Sequence, residues 1–118
     1  MALSPPDIVS QVLAHRPKQT VGEQSLTPAS VLLLLYPKDG EYCVLLNKRS
    51  QLVEHHKGEI SFPGGTKDIK DLKLIDTAIR EVKEEIGLDK KEIRVVGQMQ
   101  PVYTKTGYKI SPFVGVVS

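Results

Sequence analysis

The chain has little net charge: sixteen lysines and arginines stand against fourteen aspartates and glutamates, a formal +2 over 118 residues. That imbalance is too small to argue, by itself, for binding to nucleic acid or to a membrane surface. Cysteine is nearly absent. Cys43 stands alone, so no disulfide framework can form within one chain, and a reducing compartment is expected. Long apolar runs are missing too. The longest, residues 31–36, has the length of a strand and falls far short of a spanning helix. No signal-like segment is visible, and the chain does not end in Ser-Lys-Leu, so a cytoplasmic location is expected. There is no internal repeat and no low-complexity stretch.

What is present is ordinary for a folded domain: 40% hydrophobic and 25% charged residues. The length suits one domain over residues 1–118 with its own core. Ser4 followed by Pro5 starts a helix, with Ile8, Val12 and Leu13 facing inward. Residues 16–28 are polar and read as a loop or extended arm. Residues 29–36 form a buried strand, Pro37-Lys38-Asp39-Gly40 a turn, and 41–47 the return strand of a hairpin. Cys43, within that apolar stretch, is expected to be a buried core residue. Ile60 and Phe62 alternate with polar residues as a short strand, which Pro63-Gly64-Gly65 stops and turns. Paired glycines there permit positive φ and close backbone approach to a ligand. Residues 66–73 are a polar loop.

A helix is predicted over residues 74–86. Ile75, Ala78, Ile79, Val82 and Ile86 form a helical apolar stripe, and Gly87 is placed as the C-terminal cap. Residues 92–102 and 109–117 read as two further strands joined by a turn around 104–107. The order of elements indicates an α+β domain with helices packed on a mixed sheet.

The helix carries the chemistry. Glu81, Glu84 and Glu85 are spaced by three and four residues, which puts three carboxylates on one side of it, largely off the apolar stripe. Like charges so placed repel at about a few tenths of a kcal/mol per pair. A solvated face with ion pairs, such as Arg80 with Glu84, is the ordinary explanation of an acidic run. The alternative is a hard cation that offsets the repulsion and bridges the carboxylates to a substrate's phosphates.

The residues around the cluster favour the alternative. Residues 65–88 resemble a Nudix box, Gly-x5-Glu-x7-Arg-Glu-U-x-Glu-Glu-x-Gly-U, where U is aliphatic. Arg80, Glu81, Val82, Glu84, Glu85, Gly87 and Leu88 match every defined position of its second half. The first half departs twice: Asp71 stands where Glu is expected, and eight residues rather than seven separate it from Arg80. A second stretch resembles the extra motif of the coenzyme A pyrophosphatase branch: Leu45-Leu46-Asn47-Lys48-Arg49-Ser50, then Gly58, then Phe62-Pro63-Gly64-Gly65. Both departures in the box are usual in that branch. Against its pattern, Asn47 replaces Thr and Glu54 replaces a second Arg, with His55, His56 and Lys57 following as candidates to compensate for the lost cation.

The resemblance implies an α/β/α sandwich and metal-dependent hydrolysis of a diphosphate linkage in coenzyme A or a derivative. The products would be adenosine 3′,5′-bisphosphate and 4′-phosphopantetheine. Glu81, Glu84, Glu85 and the Gly65 carbonyl would ligate Mg²⁺ or Mn²⁺. Glu84, Glu85 and Arg80 would be the catalytic residues, Glu84 as a candidate general base and Arg80 by anchoring the loop and orienting the glutamates. Arg49, Ser50 and Gly64 would contact substrate, Arg49 through its planar fork, and Tyr103 and Tyr108 are candidates to line a base or pantetheine pocket. The partner is a small nucleotide-like molecule, with no nucleic acid and no membrane.

The family normally continues with further strands and a helix beyond residue 118. The domain is therefore expected to be incomplete at its C-terminus, with exposed apolar surface or an open strand edge. Homodimerisation, strand exchange or poor stability would follow. Two rival functions remain: hydrolysis of another nucleoside diphosphate derivative, such as ADP-ribose or an oxidised nucleotide, and a non-catalytic binding module or inactive fragment. Residues 45–65 discriminate the first, and the three intact box glutamates argue against the second.

Overall fold

Strand β1 (Thr27–Lys38) is the longest element and organises the rest. A computed structural model of the protein describes residues 26–48 and 60–117. The strands that follow are β2 (Glu41–Leu45), β3 (Asn47–Lys48), β4 (Ile60–Ser61) and β5 (Gly64–Thr66). Then come helix α1 (Leu74–Ile86), a 3-10 turn over Lys90–Glu92, β6 (Ile93–Gln98), β7 (Val102–Tyr103) and β8 (Tyr108–Val117). The main sheet runs β2-β1-β8-β6, with β5 also on β1 and β7 also on β8. Only the β1–β8 pairing is parallel; β2 and β5 on β1, and β6 and β7 on β8, are antiparallel. The result is the mixed sheet of an α+β fold, with one helix among the described residues. The predicted N-terminal helix lies outside the described residues.

The core lies between α1 and one face of the sheet. Alternation on β1 sends Ser30, Leu32 and Leu34 to that face, all fully buried. Leu32 and Leu34 pack with Ala78, Val82 and Phe113; burying each leucine contributes about 1.5–3 kcal/mol. Ser30 donates its hydroxyl to the Leu74 carbonyl at 2.8 Å, tying the first turn of α1 to the strand. Residues 111–116 of β8 are all buried, in keeping with its central position between β1 and β6.

The helix spans the predicted residues. Gly87 ends it in the left-handed conformation, φ 87°, its N–H reaching the Val82 and Lys83 carbonyls. Four expectations change. The hairpin narrows: Pro37 and Lys38 belong to β1, the turn is Asp39-Gly40, and the return strand ends at Leu45, with Asn47–Lys48 pairing instead with β4. The 92–102 segment is a 3-10 turn and two short strands rather than one strand. Cys43 is half-buried, because it lies on β2, which among the described residues pairs only with β1. Gly64 and Gly65 do not turn the chain: they form β5, opposite Val31 and Ser30, without positive φ. Ladder pairing with β1 overrides the weak strand preference of glycine.

Candidate functional site

The glycine strand and the acidic face of α1 meet. A Cβ on Gly65 would lie 2.6 Å from the Glu81 carboxyl carbon, and one on Gly64 would lie 2.3 Å from the Ser30 carbonyl oxygen. At Gly64 the neighbour is backbone and no side chain fits; at Gly65 a side chain would displace the Glu81 carboxylate. At Gly65 the reason concerns the site directly, because the missing side chain lets the Glu81 carboxylate lie against the strand backbone.

Arg80 and Asp71 form the second half of the site. Asp71 is 5% exposed in a loop whose residues 66–70, 72 and 73 are all exposed. Its Oδ1 accepts from Arg80 Nε at 3.1 Å. Its Oδ2 accepts from Arg80 Nη2, the Thr77 hydroxyl and the Asp68 N–H, each at 2.9 Å. These donors, Arg80 first, hold the Asp71 carboxyl well below the usual carboxylate range. The arginine proton is held more tightly in return. The fork grips Asp71 with one edge and reaches out with the other. Nη2 also donates to the Thr66 carbonyl at 3.2 Å, and Nη1 to Glu81 at 3.1 Å and Glu84 at 3.3 Å. One guanidinium thus ties the loop, the end of β5 and two box glutamates together.

Glu85 sits in different surroundings. Partial withdrawal of its carboxyl from water pushes its pKa up, and the neighbouring Glu81 charge pushes it further. The Gly64 N–H, hydrogen-bonded to it, pulls the other way; the Glu84 charge and a side-chain contact with Glu81 add to the rise. Two carboxylates therefore crowd one point beside a glycine backbone. That donor set fits a hard divalent cation, which takes oxygen ligands and removes the repulsion. Among the described residues no group of three or more His, Cys, Asp and Glu side chains stands ready-gathered for a metal ion; the third carboxylate, Glu84, is turned to Arg80.

The structure thus brings Arg80, Glu81, Glu84, Glu85, Gly64 and Gly65 together. Arg49, Ser50, His55 and His56 lie outside the described residues. Tyr103 carries the Lys109 ammonium 6.0 Å from its ring centroid, and Tyr108 is partly exposed. Sequence reasoning missed Thr77 and the Thr66 carbonyl. Thr77 falls next to the apolar stripe and reads as core filler; a hydroxyl six residues from Asp71 was the available signal.

A family model described as NUDIX domain matches residues 26–117. An uncharacterized Nudix hydrolase of Klebsiella aerogenes, NudL, is 34% identical over 98% of this chain and 96% of its own length. NudL of Klebsiella pneumoniae is also 34% identical, but this chain spans only 60% of its length. Among solved structures, the M. smegmatis Nudix hydrolase RenU superposes with a TM-score of 0.64 at 24% identity, covering 78% of this chain and 61% of that one. The NUDIX domain of Shewanella oneidensis NrtR, crystallised with ADP ribose, gives 0.59 at 19% identity, covering 92% and 68%. Both solved structures show likeness of fold.

Proposed function

The chain belongs to the NUDIX domain family, and from that premise we propose that it hydrolyses the diphosphate linkage of coenzyme A or a derivative with a divalent cation. The observation that supports this best is the crowding of Glu81 and Glu85 at the Gly64–Gly65 backbone, where an anionic diphosphate would be repelled unless a cation intervened. Nudix hydrolases generally use divalent metal ions. Here Glu81, Glu84, Glu85 and the Gly65 carbonyl would hold Mg²⁺ or Mn²⁺. When bound, the cation neutralises phosphate charge and polarises the phosphoryl oxygen.

The chain's own groups do the rest. Arg80 orients Glu81 and Glu84 while anchored on Asp71. Glu84, whose side chain is 55% exposed, is the carboxylate we assign to take the proton of the attacking water. Arg49, Ser50 and Gly64 contact the substrate. The products are adenosine 3′,5′-bisphosphate and 4′-phosphopantetheine. The choice of coenzyme A is supported by the 45–65 sequence motif. A cytoplasmic location and a homodimer belong to the same proposal. Sedimentation would test the dimer. No described helix is long and apolar enough to cross a membrane.

Turnover of coenzyme A with Mg²⁺ or Mn²⁺, resolved by chromatography beside Glu85→Gln, tests the reading. Adenosine 3′,5′-bisphosphate from the parent and not from the variant supports it. Turnover of ADP-ribose or an oxidised nucleotide in its place moves the substrate to the rival class.

A further inference from the structure

We propose that Thr77 is the positioning residue for the Arg80 clamp, fixing Asp71 so that the guanidinium stays over Glu81 and Glu84. Its consequence for cation binding rests on the proposed function; its effect on Arg80 does not.

Thr77 is fully buried on α1, three residues before Arg80. Its hydroxyl donates to Asp71 Oδ2, the oxygen that also takes Arg80 Nη2 and the Asp68 N–H. Asp71 is the one buried residue of an otherwise exposed loop. A carboxylate in such a loop needs a fixed donor on the helix itself. Arg80 cannot be that donor alone, because its long side chain is also drawn to Thr66, Glu81 and Glu84. The threonine hydroxyl sits on a short, β-branched side chain with few rotamers. It therefore sets where Asp71 lies, and Asp71 sets where the fork lies. No water replaces a donor buried this deeply without a cavity to hold it, so loss of the hydroxyl leaves Oδ2 one bond short.

The test compares Thr77→Val, which keeps the shape and removes the donor, with Thr77→Ser, which keeps the donor. Hydrogen exchange of the Arg80 Nε–H, followed by NMR in chains labelled with ¹⁵N-arginine, reads the clamp directly. Mn²⁺ titration reads the site. Exchange at least tenfold faster in Thr77→Val and near parental in Thr77→Ser is expected. Mn²⁺ affinity should fall about tenfold in the valine variant and recover in the serine variant, the scale found for residues supporting metal ligands. Thr77→Ala carries the same expectation should the valine chain fail to fold. Parental Arg80 exchange in a folded Thr77→Val or Thr77→Ala chain overturns the proposal. So does equal loss in the serine variant, which would mark a packing role. A parent that binds no Mn²⁺ overturns the proposed function instead, and the exchange experiment still decides the role of Thr77.

Discussion

Two charge clusters share helix α1 and are built on opposite terms. At Asp71, one buried carboxylate receives four hydrogen bonds, two of them from a guanidinium. At Glu81 and Glu85, two carboxylates share one neighbourhood, and the Glu81 charge raises the cost of charging Glu85. The first cluster is complete in the protein alone. The second is left in electrostatic debt. A stable scaffold needs the first, and a cation site needs the second, since a fully satisfied carboxylate has little to offer an ion.

The largest way to break this contrast is at Gly65. Gly65→Ala puts a methyl 2.6 Å from the Glu81 carboxyl carbon, so turnover should fall by at least about a hundredfold, the scale of losing one well-placed electrostatic stabiliser. The Arg80–Asp71 contacts, read by Arg80 Nε–H exchange, should survive. Turnover near parental would remove the glycine strand from the site. Glu85→Gln should also cost about a hundredfold in activity. In metal-free buffer, however, it should raise stability by about a few tenths of a kcal/mol, because it removes like-charge repulsion along the helix. Denaturant unfolding checks the sign, and a clear loss would contradict the crowding.

The pH dependence of metal-free stability sharpens the contrast further. Glu85 has a folded pKa above its ordinary 4.5, so its charge destabilises the fold. That penalty should grow as pH rises through 4.5 toward the raised value, and Mg²⁺ should suppress it. Asp71 has a folded pKa below its ordinary 3.8. Its contribution is complete above 3.8 and is lost as pH falls below it. Melting temperatures without metal should therefore peak on the acid side of neutrality, and a flat profile from pH 4 to 7 would rule out the Glu85 effect. The smallest change is expected from Lys83→Ala, which removes an exposed pair with Asp89 at the C-terminal end of α1. Activity and melting should stay within error of the parent, as for most surface ion pairs.

The parts that were legible in the sequence rest on local periodicity. Five apolar residues at helical spacing and one glycine gave α1 its ends, and the hairpin around Asp39-Gly40 followed from an apolar run, a turn sequence and a second run, although its return strand ends at Leu45 rather than Asn47. The parts that were not legible depend on what folding brings together. Gly64 and Gly65 read as a turn until β1 is there to pair with them. That the loop folds back to join Asp71 to Arg80, nine residues apart, came from the family resemblance and from nothing local in the spacing. Thr77 is hidden because a buried threonine and a buried valine fill the same place in an apolar pattern. The box glutamates were conspicuous as residues. Their unequal surroundings, with Glu84 on Arg80 and Glu85 against Glu81, became visible only with the fold.

The parallel pairing of β1 with β8 has a consequence for how the protein is made. Thr27 pairs with Tyr108, and the register runs on to Leu35 with Val116. The central ladder therefore joins segments separated by roughly eighty residues. On the ribosome, β1 emerges well before β8 and must wait for nearly all of the remaining described chain before its main partner exists. Among the described residues, the β2 hairpin, β5 and α1 are what can shield it during that interval. Such distant pairing favours slow folding and leaves an apolar strand open to capture. Until translation passes residue 116, the hairpin, β5, α1 or a chaperone has to keep β1 occupied.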